Sequence, residues 1–160
     1  MKKSERVEAW IEYAEKDYRM AFNEYNTQHP IHINGVCYLS QQAIEKALKA
    51  ILVQNEEQMP KIHQLDKLLK LTMKYEPNIK IEEKIASKLT DFAVESRYPD
   101  NLYEFTDEDA KLGLKYAREI LDKVKVALNI TQELTTVGKG QEVRSDKVKQ
   151  SKKKRDHNER

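Results

Sequence analysis

Apolar side chains recur along this chain at steps of three and four residues, in five separate runs. From about Glu5 to Tyr25, the residues Val7, Trp10, Ile11, Ala14, Tyr18, Ala21, Phe22 and Tyr25 fall on one side of a helical wheel. Glu8, Glu12, Glu15, Lys16, Arg19 and Glu24 fill the other side, which predicts an amphipathic helix with one face in water. The segment from Asn26 to Pro30 interrupts it. A second run, from about Ile33 to Gln54, carries Val36, Leu39, Ala43, Ala47, Leu48, Ile51 and Leu52, and its small Ala43 and Ala47 allow close approach of another helix.

Pro60 is expected to open a shorter helix with Ile62, Leu65, Leu68, Leu69 and Met73 at helical spacing, and Pro77 to close it. A fourth helix is expected from about Ile79 to Ser96, carrying Ile81, Ile85, Leu89, Phe92 and Ala93. Pro99 pushes its preceding residue out of the α region, so Arg97 to Phe105 reads as a loop, unusual in holding three aromatics. Thr106 followed by Asp107, Glu108 and Asp109 is a strong helix start: a hydroxyl cap, a carboxylate at the third position and negative charge at the positive end of the dipole. Leu114, Ala117, Ile120, Leu121, Val124 and Leu128 continue that last helix to about Ile130. Beyond Gln132 the period stops. Val143 and Val148 are the only large apolar residues from Gly138 onward, too few to offset a backbone ordering cost of about 1 to 2 kcal/mol per residue. These features predict an all-α chain, an antiparallel up-and-down bundle of about five helices over residues 1–132, with a flexible, disordered basic tail over 133–160.

Composition supports thin helices. Hydrophobic residues make up 39% and charged ones 35% of the 160 residues, with only four glycines and four prolines to break them. No segment is long and apolar enough to predict a membrane span, and Met1 to Glu8 does not resemble a signal peptide. The lone Cys37 forms no internal disulfide and fits a small core position, so a reducing, cytoplasmic setting is expected. The net charge of +2 conceals an asymmetry: from Thr136 onward nine cations face four anions, leaving that stretch at +5 and the rest of the chain at −3. The bundle is therefore not a basic nucleic-acid platform, whereas the run Lys152 to Arg155 either attracts RNA through its phosphates or serves as a solubilising terminus. His29 and His32 have no carboxylate or thiol at ligand spacing, so no metal site is expected, and no glycine-rich phosphate loop is present.

Several blocks in a fixed order carry a resemblance. They are Trp10-Ile11 with Ala14 and Asp17-Tyr18, the run Cys37 to Ala50, His63-Gln64-Leu65, the run Glu95-Ser96-Arg97-Tyr98-Pro99-Asp100, and the final helix start at Thr106. In this order, over roughly residues 5–130, the chain resembles a HEPN domain. The resemblance implies a small helical bundle, frequently a homodimer, often found beside a minimal nucleotidyltransferase partner. It also implies one of three roles: toxin-like ribonuclease, nucleotide-binding module or accessory subunit. The ribonuclease branch resembles an Arg followed after four to six residues by a His, the pair that polarises the scissile phosphate and handles the 2′-hydroxyl proton. Counted from Arg97, that His falls at 102 to 104, where this chain has Leu102, Tyr103 and Glu104.

The expectation is therefore a non-catalytic module that binds a nucleotide or a nucleotidyltransferase-type partner, with no catalytic residue and no cofactor beyond a nucleotide ligand. Arg97 would hold a phosphate in a bidentate grip, Tyr98 or Tyr103 would stack on a base, and Asp100 shares the loop. Lys46 and Lys49 would add charge if their face of the second helix points toward that loop, with His63 as an auxiliary group. Two alternatives stay open. One is a divergent ribonuclease pairing Arg97 with Tyr103 or His63. The other is a structural dimerisation bundle, in which Arg97 pairs with Glu95, Asp100 or Glu104, and Lys46 and Lys49 form a solvated face.

Overall fold

A computed structural model describes residues 1–27, 32–98, 100 and 102–130. Five helices account for the regular structure among them: α1 (Lys3–Tyr25), α2 (Ile33–Gln54), α3 (Leu65–Thr72), α4 (Glu83–Glu95) and α5 (Asp107–Ala127). The expected tail, and the connection through Pro30, lie outside the described residues.

Helix α2 is the centre of the bundle and touches the other four. Val36, Cys37, Ala43, Ile44, Ala47, Leu48, Ala50, Ile51 and Leu52 are all buried, so apolar contact surrounds the helix rather than lining one stripe. Side-chain pairs fix the directions. Lys46 of α2 pairs with Asp17 of α1, and Lys49 lies over Trp10, so the two helices run antiparallel. The Tyr25 hydroxyl at the end of α1 donates to Asp107 at the start of α5 (2.8 Å), while Lys125 near the end of α5 pairs with Glu15. Helix α1 is thus antiparallel to both α2 and α5, which run parallel to each other. Gly113 of α5 sits where a Cβ would lie 3.0 Å from the Ser40 Cβ, so α2 and α5 approach closely enough that an alanine would require Ser40 to give way by a few tenths of an ångström.

Three helix ends depart from the periodicity, each for a local reason. The helix expected to open at Pro60 begins at Leu65. Ahead of it, the His63 carbonyl accepts from Gln41 Nε2 (3.3 Å) and the Leu65 N–H donates to Thr90 Oγ1 (2.9 Å). These tertiary partners hold the segment in an extended path that a first helical turn would break. Likewise α4 begins at Glu83 rather than near Ile79. Ile79 is buried, but it reaches the core from a turn in which its N–H donates to the Glu76 carbonyl (3.0 Å). Helix α5 ends at Ala127 because Asn129 adopts φ 53°, with the Ile130 N–H returning to the Lys125 carbonyl (3.0 Å) and the Asn129 N–H to the Val126 carbonyl (3.1 Å). That pairing is a Schellman cap. The N-terminus of α5 matches expectation, with the Asp109 N–H donating to Thr106 Oγ1 and Asp109 closing the capping box.

Candidate ligand-binding site

The loop between α4 and α5 is built on an aromatic anchor. Phe105 packs edge-on against Phe92 of α4 (centroids 5.8 Å apart), and Tyr103 packs edge-on against Phe105 (4.9 Å). Below them Asp109, only 2% exposed, gathers four donors. Its Oδ2 accepts from the Tyr103 hydroxyl (3.1 Å) and from the Thr106 N–H and hydroxyl (both 3.0 Å), and its Oδ1 meets Lys88 Nζ at 2.7 Å. Burial alone would raise this carboxyl, but the Lys88 ammonium and the Thr106 and Tyr103 donors outweigh it and hold it below the usual carboxylate range. Tyr103 is pushed the other way, first by burial and then by its bond to Asp109. Burial also pushes the Cys37 thiol up to about 12, with Asp109 adding to the effect, so it is a core group rather than a nucleophile.

Two of the loop's candidates face outward. Tyr98 is 62% exposed, and Arg97 is exposed with its guanidinium 5.5 Å from the centre of the Tyr38 ring. Among the described residues Arg97 has no carboxylate within ion-pair distance, so the expected pairing with Glu95, Asp100 or Glu104 is not formed. Asp100 is exposed beside them.

Lys46, Lys49 and His63 belong to a different cluster. Lys46 is paired with Asp17. Lys49, 6% exposed, pairs with the equally buried Glu45 (2.8 Å), whose Oε1 also meets His63 Nδ1 (2.9 Å) while its Oε2 accepts from Gln41 Nε2 (3.2 Å). Burial raises the Glu45 carboxyl, but Lys49, His63 and Gln41 together lower it by more, so it stays ionised. Lys49 stands eleven residues along α2 from Tyr38, about 16 Å at the helical rise. The lysines therefore add no free charge to the Arg97 loop, since each is neutralised by its own carboxylate. Tyr38, which completes the Arg97 arrangement, was absent from the sequence-based site. Its spacing of seven from Glu45 and eleven from Lys49 puts it on their face of α2, but only the return of the α4 end to that face brings Arg97 to it.

The family model for the HEPN domain matches residues 7–127. The chain belongs to the HEPN domain family. Two solved structures share the fold. TT1696 from Thermus thermophilus is 24% identical, aligns over 76% of this chain and 98% of its own length, and superimposes with a TM-score of 0.63. ST0689, described as an archaeal HEPN homologue, is 30% identical over 79% of this chain and 98% of its own, with a TM-score of 0.55. No curated protein matches.

Within this HEPN domain the two groups weighed as partners of Arg97 in a divergent ribonuclease, His63 and Tyr103, are each bonded to another side chain. The His63 ring is held at Glu45, seven residues along α2 from Tyr38, about 10 Å of helix. The Tyr103 hydroxyl is donated to Asp109 and its pKa is raised, away from the range useful for proton transfer near neutral pH. Among the described residues no helix is long and apolar enough to cross a membrane, and no three His, Cys, Asp or Glu side chains are grouped to hold a metal.

Proposed function

We propose that this HEPN domain is a non-catalytic binding module whose α4–α5 loop takes a nucleotide. The observation that carries the reading is the state of Arg97: exposed, without a carboxylate partner among the described residues, and lying over Tyr38 beside the exposed Tyr98. A guanidinium in that state offers its fork to a phosphate, and a neighbouring exposed ring offers a stacking surface for a base. Tyr103 supports the loop through Asp109, and Asp100 lies at its rim. A reducing, cytoplasmic setting suits the buried thiol of Cys37.

The same end of the bundle favours a second reading, docking of a nucleotidyltransferase-type partner or of a second copy. Leu102 is 95% exposed, and Val94 and Tyr98 are also exposed, a set of large apolar side chains beside an arginine that matches the composition of protein interfaces.

Thermal unfolding of the chain with and without a panel of nucleotides, repeated on Arg97→Ala, tests the first reading. A ligand at a hundred times its dissociation constant adds about 2.7 kcal/mol to stability, a shift of several degrees in a domain of this size. A shift in the native chain that Arg97→Ala loses supports nucleotide binding. No shift with any nucleotide refutes it. Light scattering on Leu102→Asp against the native chain then tests whether this surface mediates association.

A further inference from the structure

A concavity lies away from the Arg97 loop, where the first turns of α1 pass the middle of α2. It has a volume of about 410 Å³ and is lined by Met1, Arg6, Ala9, Trp10, Tyr13 and Lys46, which places it in the size range of small-ligand sites. Its lining is mainly apolar and includes two aromatic rings, with Tyr13 exposed and Trp10 partly so. Lys49 Nζ stands 5.8 Å from the Trp10 ring centre and braces it from α2.

The charges at the groove decide what fits it. Lys46 is neutralised by Asp17, and Lys49 by Glu45. Arg6, exposed, has no carboxylate at ion-pair distance among the described residues. Besides the α-ammonium of Met1, the groove therefore presents one uncompensated side-chain cation, in the fork geometry that suits a carboxylate, beside aromatic surface. A polyphosphate would bring several negative charges and no apolar body to a mainly apolar lining. A monoanion with an apolar body matches both the charge and the lining. We propose that this groove binds a small arylalkanoic acid, its ring against Trp10 and Tyr13 and its carboxylate on Arg6.

Trp10 is the chain's only tryptophan, so its emission reports on this groove directly. Titration of the full chain with 4-phenylbutyrate should give a saturable change in that emission, while the neutral 4-phenylbutyramide should give none. Arg6→Gln, an exposed change that leaves the core intact, should weaken binding about tenfold, the loss typical of one hydrogen bond to a charged group. Arg97→Ala should leave the titration unchanged, which keeps this result separate from the reading of the loop. No saturable change at several millimolar acid, an equal response to the amide, or equal affinity in Arg6→Gln overturns the proposal. Tighter binding of a peptide ending in a free phenylalanine carboxylate also overturns it, by assigning the groove to a chain terminus.

Discussion

Replacing Asp109 with alanine should be among the most costly single changes in this domain that leave its apolar core untouched. The carboxylate is buried and serves two elements at once. It closes the capping box of α5, and it holds Tyr103 and hence the loop that carries Arg97. The N-cap bond itself survives, because the Thr106 hydroxyl accepts from the backbone N–H of residue 109. Loss of the charged acceptor from Tyr103 and from the Thr106 N–H, whose bonds to it are part-buried, costs about 2 kcal/mol. Lys88 is 47% exposed and returns to water, so its ion pair contributes little. The expected cost is about 2 kcal/mol, or roughly 7 °C in Tm for a domain of this length. Urea unfolding followed by Trp10 emission and by far-ultraviolet circular dichroism measures it. Tyr103→Phe supplies the control, costing about 1 kcal/mol in the native background and close to nothing in Asp109→Ala, because the two groups share one bond. The pH dependence has a definite sign. A carboxyl held below its unfolded value of about 3.9 stabilises the fold above that pH, and the stabilisation is lost as the pH falls through the lower folded value. The native chain should therefore lose stability on acidification below about pH 4 more steeply than Asp109→Ala. A cost below about 0.5 kcal/mol, or identical acid profiles, would refute the assignment of Asp109 as the post of this loop.

Three further outcomes follow from other sites. Lys49→Ala leaves Glu45 charged and buried beside a largely exposed His63, and should cost about 3 kcal/mol, whereas Glu45→Gln combined with Lys49→Met should recover most of it; urea midpoints of the three chains decide this. Glu56 holds φ 58° just past the end of α2, where its N–H and that of Glu57 cap the Val53 and Leu52 carbonyls. Glu56→Gly should raise stability by about 1 kcal/mol, and no rise in Tm would show that the left-handed backbone there is not strained. Cys37, buried and with its thiol raised to about 12, should resist a thiol reagent at neutral pH in the native chain and react fully in denaturant; fast native labelling would contradict the packing.

The helices were legible because each carries its own signal. The three- and four-residue steps of α1 and the Thr106 to Asp109 cap of α5 are local, and local propensity and capping act before any tertiary contact forms. The order of the blocks from Trp10 to Thr106 carried the family. What was not legible depends on partners distant in sequence. The late start of α3 follows from Gln41 and Thr90, residues on two other helices. The separation of Lys46 and Lys49 from the Arg97 loop is of the same kind. Along α2, Tyr38, Glu45 and Lys49 share a face, which is all that periodicity can report. Which of them stays free is decided by Asp17 of α1, by Glu45 four residues away and by His63 arriving from the next segment. The sequence alone thus determined five helices, one bundle and the absence of histidine after Arg97, because these are written in nearest neighbours and in a fixed order. Only the tertiary structure decided which charges remain uncompensated, because an ion pair forms between side chains that the fold brings together, and among the described residues the fold left Arg97 and Arg6 without carboxylates while neutralising both lysines.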